Sequence, residues 1–414
     1  MADREQEHPT LTVESEACAD LGPLSQLLDE RDPLLWTRRG FGIGGIGTAL
    51  RLEFRGPTRI RDAAAAWRSI AASARVTDPL GFPGTGLIAF GSFAFSGTSE
   101  ESSVLIVPSI VVGRSAERRW ITRISAGELP PMSLPPTRPL GPPYGVELLP
   151  GRMPPAAYTE AVRVAVQGIR DHELGKVVLA RDLTGRLPDG SDLRVVAREL
   201  ALAYPDCWTF AIDGFLGSSP ETLVRVTDGT VSARVLAGSA ARGTDAETDE
   251  AAAVMLATST KDLDEHGFAV RSVLASLRQR SPDVSASELP FTLKLPNLWH
   301  LASDVDGSLT DGSTALDLVD ALHPTAAVAG SPTGRALEYI DRLEPFDRGR
   351  YAGPVGWIGA DGDGEWAVAL RSAQVARDGG ITAWAGAGIV ADSVPERELV
   401  ETRLKFRPIV EAFG

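Results

Sequence analysis

The sequence has few cysteines, no long apolar run and no excess of basic residues. Two cysteines, Cys18 and Cys207, occur in 414 residues, which excludes a disulfide framework and a cysteine-rich zinc site. No apolar stretch approaches the roughly 18 residues that a membrane-spanning helix needs. With 41 Lys and Arg against 55 Asp and Glu, the net charge is −14, so we expect neither nucleic-acid nor membrane binding. The polar N-terminus is unlike a signal peptide, and we therefore expect a cytoplasmic protein.

The composition is that of a globular protein, with 43% apolar and 23% charged residues. The first 20 residues are polar, and we expect them to be frayed. Short apolar runs between glycines predict strands at residues 48–54, 86–95 and 104–112, and a helix at 60–74. Residues 130–155 contain 10 of the 29 prolines. This density predicts a linker or a long surface hairpin without regular structure.

A glycine pattern at residues 40–45 (GFGIGG) matches the dinucleotide-binding signature G-x-G-x-x-G. That signature requires a strand before it and a helix after it, so that the helix N-terminus can hold the pyrophosphate. The following residues 48–54 (TALRLEF) favour a strand instead. We therefore interpret the pattern as a glycine-rich hairpin or bulge.

The part of the chain after the prolines begins with a clear helix-to-strand pattern. Tyr158, Val162, Ala165 and Ile169 recur at helical spacing and predict an amphipathic helix. The run KVVLA at residues 176–180 predicts a buried strand.

Two pairs of acidic residues lie three positions apart, where a helix would bring both members to one face. They are Asp262 with Glu265, and Glu398 with Glu401. Such pairs repel each other mildly unless a cation lies between them. Carboxylate oxygens are ligands that magnesium prefers. The alternative interpretation is two exposed helix faces with ordinary acidic residues.

Two further residues could supply acid–base chemistry. Lys176 opens an apolar strand, and in a cleft of low dielectric its lowered pKa would suit a general base. A strand-edge lysine that reaches to water is the alternative. Glu221 follows Ser218–Pro220 at a predicted junction of elements. If it is partly buried, its raised pKa would suit a general acid, whereas at a helix N-terminus it would only interact with the helix dipole.

Several residues could bind an anion. Arg371 ends the apolar run 366–370, where its guanidinium could hold a carboxylate through two hydrogen bonds. The glycines of residues 237–239 (AGS) and 385–388 (AGAG) could bring backbone N–H groups close to an anion, or could form tight turns. His266, His300 and His323 lack zinc-ligand spacing, and we interpret each as a hydrogen-bonded structural histidine.

Taken together, the segments from about Tyr158 to Pro408 resemble the chorismate-utilising enzymes related to anthranilate synthase component I, and within them the isochorismate synthases. The segments that carry the resemblance follow one another in the family's order. They are GKVVLARDL (175–183), SSPETLVRV (218–226), LAGSAARG (236–243), STKDLDEHGFAV (259–270), WHLASDVDGSL (299–309), LHPTAAVAGSP (322–332), EPFDRGRYAGPVGW (344–357), GDGEWAVALRSA (362–373) and AGAGIVADSVPERELVETRLK (385–405).

The resemblance implies a reaction in which water attacks C2 of chorismate while the C4 hydroxyl leaves. Lys176 matches the family's lysine that activates the water, and Glu221 matches the glutamate that protonates the leaving hydroxyl. Glu265 and Glu401 match the principal magnesium ligands, with Asp262 and Glu398 beside them. The implied cofactor is therefore Mg²⁺.

The resemblance also implies a set of substrate-binding residues. Arg371 and Tyr351 match residues that hold the enolpyruvyl carboxylate, and His300 matches a histidine close to the ring. Backbone groups at Gly238, Gly386 and Gly388 match positions that approach the substrate. Ser239 departs from the family's usual threonine but keeps a hydroxyl.

Two observations choose among the family's activities. Members that add ammonia generally lack the lysine at position 176, so its presence favours water as the nucleophile. Ala327 stands where salicylate synthases tend to carry threonine, which favours release of isochorismate. A salicylate synthase that also eliminates pyruvate remains the alternative, followed by an aminating enzyme or a non-catalytic chorismate-binding subunit.

The resemblance implies an α+β fold with a large two-layer, mostly antiparallel β-sandwich surrounded by helices. We expect residues 21–414 to form one domain, with a variable part at 25–150 and the catalytic part at 156–414. The sequence contains no amidotransferase segment, which also favours water as the nucleophile. We expect no glutaminase subunit, and the family's usual tendency implies a monomer. Its product would serve menaquinone biosynthesis or siderophore biosynthesis.

Overall fold

The computed structural model describes residues 8–19, 21–129, 136–295 and 298–414. Part of the predicted frayed N-terminus and the prolines at 130, 131 and 135 lie outside these residues. Among the helices that the structure describes, none is both long enough and apolar enough to cross a bilayer.

Most of the helices are separated from one another by runs of strands. Their bounds are α1 (Arg59–Ser73), α2 (Pro155–Arg170), α3 (Leu193–Ala203), α4 (Ala246–Thr258), α5 (Thr260–Leu277), α6 (Ala315–Leu322), α7 (Thr333–Leu343) and α8 (Pro395–Phe413).

The strands are short at the N-terminus and longer around the centre of the fold. Their bounds are β1 (Thr12–Ala17), β2 (Leu34–Arg38), β3 (Phe41–Ile46), β4 (Leu50–Phe54), β5 (Arg75–Thr77), β6 (Ile88–Ser92), β7 (Ser103–Val107), β8 (Ile110–Arg114), β9 (Arg119–Ser125), β10 (Leu149–Pro150), β11 (Lys176–Arg186), β12 (Trp208–Ile212), β13 (Phe215–Ser219), β14 (Thr222–Thr227), β15 (Thr230–Ala241), β16 (Ser285–Ala286), β17 (Phe291–Lys294), β18 (Leu298–Ser308), β19 (Gly330–Ser331), β20 (Pro354–Gly359), β21 (Gly364–Val368), β22 (Ser372–Val375) and β23 (Gly380–Ile389).

These strands form two large sheets. The first has the order β10-β11-β23-β22-β13-β12-β2-β3-β8-β9-β1-β5, with β19 also paired to β11. The second has the order β16-β18-β15-β14-β21-β20-β6-β7-β4, with β17 also paired to β18. Within the described residues, the pairing of β1 with β5 is parallel and the other pairings are antiparallel. The early strands join the later ones where β2 pairs with β12 and β6 pairs with β20.

The main hydrophobic core draws buried side chains from both sheets, including Phe210 on the first and Phe90 on the second. A second core joins the first sheet to α3 and α8, which contribute Leu200 and Phe406. Helices α5 and α6 pack against the second sheet. The arrangement confirms the predicted α+β fold with a two-layer, mostly antiparallel core and helices outside it.

Most of the predicted elements are present. The helix predicted at 60–74 is α1, and the helix carrying Tyr158 is α2. The glycine pattern at 40–45 forms the hairpin of β2 and β3, with Gly40 at φ 76° in the turn. The described residues 136–148 have no regular structure, as the prolines predicted.

Two predictions are wrong. Residues 12–17 are not frayed, because they form β1, which pairs with β9 while Val13 packs into the main core. The apolar run 104–112 is not one strand, because the chain turns at Pro108 and Ser109 and continues as β8 in the other sheet.

Candidate active site

A cavity of about 250 Å³ lies where β11 and β23 of the first sheet meet strands of the second sheet, α5 and α8. Every candidate site residue predicted from the sequence lies on its wall. They are Lys176, Glu221, Gly238, Ser239, Asp262, Glu265, His300, Ala327, Tyr351, Arg371, Gly386, Gly388, Glu398 and Glu401. Nothing in the geometry alone assigns a role to each of them, so the roles stay predictions.

The first sheet supplies Lys176 and the two glycines of the AGAG segment. Alternate residues of a strand point to the same face, which puts Gly386 and Gly388 on the cavity side of β23. The residue opposite Gly388 on β11 is Val178, two positions from Lys176. A Cβ atom at Gly388 would come within 3.0 Å of the Lys176 Cε atom. Glycine there leaves room for the lysine side chain.

The second sheet supplies Gly238 and His300, and Glu221 lies where the chain passes from the first sheet to the second. Glu221 lies in the short connection between β13 and β14, so the alternative of a helix N-terminus does not apply. Strand β15 is irregular between Leu236 and Ser239, and Gly238 adopts φ +80° there. A side chain at Gly238 would be strained in this conformation, and its Cβ would lie 3.3 Å from that of Asp262.

Both acidic pairs lie on helices, as predicted. The Ser259 hydroxyl accepts a hydrogen bond from the Asp262 backbone N–H and caps α5. In α8, Pro395 occupies the first turn. On the same helix Glu401 forms an ion pair of 2.7 Å with Lys405, whose amine also donates to the Gly386 carbonyl at 3.0 Å.

Burial shifts the two candidate acid–base groups in opposite directions. It lowers the pKa of the Lys176 amine, an effect that the nearby Glu265 carboxylate opposes. It raises the pKa of Glu221 to about 7, although Lys405, Lys176 and Arg371 pull that pKa down. Glu221 is 7% exposed. One wall therefore holds an amine whose pKa is lowered, and another holds a carboxyl whose pKa is raised.

His300 and Arg371 form a neutral–cationic pair. Burial, with help from Arg371, lowers the pKa of His300 to about 3, so its ring is neutral near pH 7. The Arg371 Nη2 atom lies 3.3 Å from His300 Nε2, and His300 Nδ1 lies 3.3 Å from the Gly238 carbonyl oxygen. Because a guanidinium can only donate, the proton of the ring belongs on Nδ1.

Arg371 is also unusual in its backbone. Its φ of 50° lies in the left-handed region, which costs free energy for a residue with a side chain. Its Nη1 atom is buried and has no hydrogen-bond partner among the described residues. A strained residue with a buried unpaired donor is typical of a ligand-binding position.

The loop between α7 and β20 carries Tyr351 and is held by a buried ion pair. Arg348 and Glu344 lie 2.6 Å apart with side chains 2% and 1% exposed. Glu344 accepts from the Ala180 backbone N–H, and Arg348 donates to the Val178 carbonyl oxygen. The ion pair thus fixes the loop against β11. Burial raises the pKa of the Tyr351 phenol, which lies on this loop, to about 12.

The cavity residues that the sequence interpretation missed include three with polar side chains: Lys405, Trp384 and Arg348. Lys405 had a detectable signal, since it stands four positions after Glu401 on a predicted helix. Trp384 and Arg348 lie in no local sequence pattern that would distinguish a site residue from an ordinary core or surface residue.

Two of the three histidines lie outside the cavity wall and are hydrogen-bonded, as their spacing predicted, whereas His300 lines the cavity. His266 is bonded to the Ala237 carbonyl and the Ser303 hydroxyl. His323 lies 2.8 Å from the Phe95 carbonyl oxygen.

The four cavity carboxylates offer the oxygen ligands that magnesium takes. Within the described part of the chain, no three or more His, Cys, Asp or Glu side chains are close enough together to enclose a metal ion. Magnesium commonly binds through one or two carboxylates, with water and substrate oxygens completing its shell. Glu265 on α5 and Glu401 on α8, facing one cavity, fit that mode of binding.

Comparison with known proteins agrees with the site. The family model described as chorismate binding enzyme matches residues 147–414. Isochorismate synthase DhbC of Bacillus subtilis is 41% identical over 272 residues, which are 63% of this chain and 68% of that protein.

Solved structures extend the likeness over nearly the whole chain. The crystal structure of DhbC from Bacillus anthracis superposes with a TM-score of 0.78 at 30% identity, covering 94% of this chain and 98% of that one. Escherichia coli MenF shares the fold, with a TM-score of 0.80 at 24% identity over 99% of this chain and 97% of its own. The chain belongs to the family of chorismate-binding enzymes.

Proposed function

We propose that the chain is a magnesium-dependent isochorismate synthase, which adds water at C2 of chorismate and releases the C4 hydroxyl. The observation that carries the proposal is that Lys176, with a lowered pKa, and Glu221, with a raised pKa, line the same cavity. The DhbC relative, named an isochorismate synthase, supports the same activity.

Lys176 acts as the general base in this proposal. Its neutral amine takes a proton from water as the water oxygen attacks C2. Burial favours the neutral form, and Glu265 nearby stabilises the ammonium that results. The lysine then has to release this proton before the next turnover.

Glu221 acts as the general acid. The C4 hydroxyl is a poor leaving group unless it receives a proton as its bond to carbon breaks. A carboxyl with a pKa of about 7 is protonated in about half of the molecules at neutral pH and in most of them below it, so it can supply that proton. The proton lost by Lys176 and the proton gained by Glu221 restore both groups for another cycle.

The remaining wall residues bind and orient chorismate. Arg371 and Tyr351 hold the enolpyruvyl carboxylate, and neutral His300 keeps Arg371 in position at the ring. Backbone groups at Gly238, Gly386 and Gly388 approach the substrate, beside Ser239 and Ala327.

Asp262, Glu265, Glu398 and Glu401 form the proposed magnesium site. When bound, Mg²⁺ would neutralise the ring carboxylate and offset the repulsion between that carboxylate and these side chains. Lys405 forms an ion pair with Glu401. It therefore orients this proposed magnesium ligand but does not bind the ion itself.

Product analysis tests the activity directly. Incubation with chorismate and Mg²⁺ should yield isochorismate and no pyruvate. Pyruvate and salicylate in equal amounts would support the salicylate synthase alternative instead. Ammonia-dependent formation of an amino product would support an aminating enzyme.

A lysine variant tests the base. Lys176→Ala should lower kcat by about 10²–10⁴-fold, the range that a general base contributes, while circular dichroism remains unchanged. Lys294→Ala is the matched control, because that lysine is 55% exposed and pairs with Asp249 away from the cavity. Unchanged turnover by Lys176→Ala would refute the base assignment.

The product's destination is proposed as menaquinone or siderophore biosynthesis. A strain that lacks the gene should need either menaquinone or an aromatic siderophore precursor for growth. Supplying each compound separately distinguishes the two destinations, and a strain that needs neither would contradict both.

A further inference from the structure

We infer that Trp384 is a substrate-binding residue, whose indole N–H donates a hydrogen bond to the enolpyruvyl carboxylate beside Arg371. This inference deepens the proposed function and rests on it. The family resemblance of the sequence did not point to Trp384, which only the structure places on the cavity wall.

Trp384 is a buried donor without a partner. It is 7% exposed and lines the cavity, and its Nε1 atom has no hydrogen-bond partner among the residues that the structure describes. A buried indole N–H usually has an acceptor, because an unpaired one loses about 1–3 kcal/mol relative to water. An acceptor supplied by the substrate accounts for this arrangement.

The position of Trp384 associates it with the two proposed carboxylate-binding residues. It pairs across the strands with Ser372, the residue after Arg371. Its ring stacks on that of Tyr351, with centroids 6.1 Å apart and planes 17° apart. Trp384 also lies on the same face of β23 as Gly386, two residues further on. The three side chains therefore form one part of the cavity wall.

This part of the wall favours an anion. The Arg371 Nη1 atom is a second buried donor without a partner in the described chain. The Tyr351 phenol keeps its proton at physiological pH, since its pKa is about 12. A carboxylate has about four lone-pair positions, enough to accept from Arg371, Tyr351 and Trp384 together. Of the two carboxylates of chorismate, the ring carboxylate is assigned to the acidic residues of α5 and α8 with their cation.

Another tryptophan provides a matched control. Trp366 also has a buried Nε1 atom without a partner in the described residues. It packs against Phe93 in the main core and is not part of the cavity wall. A tryptophan-to-phenylalanine change there removes the same group without touching the proposed site.

The test compares chorismate with its methyl ester at the enolpyruvyl carboxylate, using calorimetric binding in the presence of Mg²⁺. Trp384→Phe keeps an aromatic ring next to Tyr351 and removes the N–H group. It should weaken chorismate binding about tenfold, as expected for a hydrogen bond to a charged acceptor. It should weaken binding of the ester much less, because a neutral ester is the poorer acceptor. Trp366→Phe should leave the ratio of the two affinities unchanged.

Equal weakening of both ligands by Trp384→Phe, or no weakening, would overturn the inference and leave Trp384 a packing residue. The proposed function fails by a different result, namely that the unaltered protein forms no isochorismate. If the unaltered protein forms isochorismate and Trp384→Phe loses the preference for chorismate over its methyl ester, the proposed function and the role of Trp384 are both supported. Thermal unfolding of each variant verifies that it is folded.

Discussion

Among single residues, Glu221 is the one whose burial has the clearest measurable consequence. Its pKa is raised from 4.5 to about 7, and burial is the main cause. Between these two pH values the unfolded chain loses the proton while the folded protein keeps it. The folded state is therefore favoured fully below pH 4.5, loses stability as the pH rises towards 7, and loses no more above it. The difference corresponds to about 3 kcal/mol.

Glu221→Gln should remove this pH dependence. Glutamine has the same shape and no charge, so the variant should gain stability over the unaltered protein as the pH rises from about 5 to 8, by up to about 3 kcal/mol. Urea unfolding at several pH values measures the gain. Glu117→Gln, at an exposed position, is the control and should show no such trend. Parallel stability curves for Glu221→Gln and the unaltered protein would contradict the burial argument.

At the scale of elements, local pattern predicts more of the helices than of the connections between strands. The spacing of acidic residues alone indicated that Asp262 and Glu265 share a helix face, and α5 has that face. The turn that separates β7 from β8 was missed, although Pro108 and Ser109, which favour turns, interrupt the apolar run 104–112. The bend of β15 at Gly238 was missed as well, since it depends on how closely α5 approaches that strand.

The loop between α7 and β20 gives a prediction at this scale. Arg348→Met leaves the Glu344 carboxylate buried without its partner, which should destabilise the protein by about 3–5 kcal/mol. The double variant Arg348→Met with Glu344→Gln removes both charges and keeps an acceptor for the Ala180 N–H group. It should recover part of the loss, as urea unfolding would measure. A double variant no more stable than Arg348→Met would show that the charge pair does not govern this loop.

For the whole molecule, the site depends on contacts between segments that are far apart in sequence. Lys176 lies on the first sheet, His300 on the second and Glu221 in a connection between the two, and neither sheet alone encloses the cavity. No local periodicity predicts that these segments meet. The family resemblance predicted the site residues because related chains with the same motifs fold so that these segments meet. It did not single out Trp384, whose environment is visible only in three dimensions.

The same organisation predicts that magnesium stabilises the whole fold. Glu265 is on α5, which packs against β15 of the second sheet, and Glu401 is on α8, which packs against β23 of the first. An ion held by both helices binds the folded state and not the separated segments. At a concentration 100 times its Kd, Mg²⁺ should therefore add about 2.7 kcal/mol to the free energy of unfolding, measured as a rise in Tm without any substrate.

Variants of α8 and α5 locate the source of that stabilisation. Glu265→Gln and Glu401→Gln should each abolish most of the magnesium-dependent rise in Tm. Glu396→Gln is the matched control, since Glu396 is on α8 but pairs with Arg163 on the protein surface; it should keep the full rise. An equal rise in all three variants would mean that magnesium binds elsewhere, and the four cavity carboxylates would then lose their proposed role as its ligands.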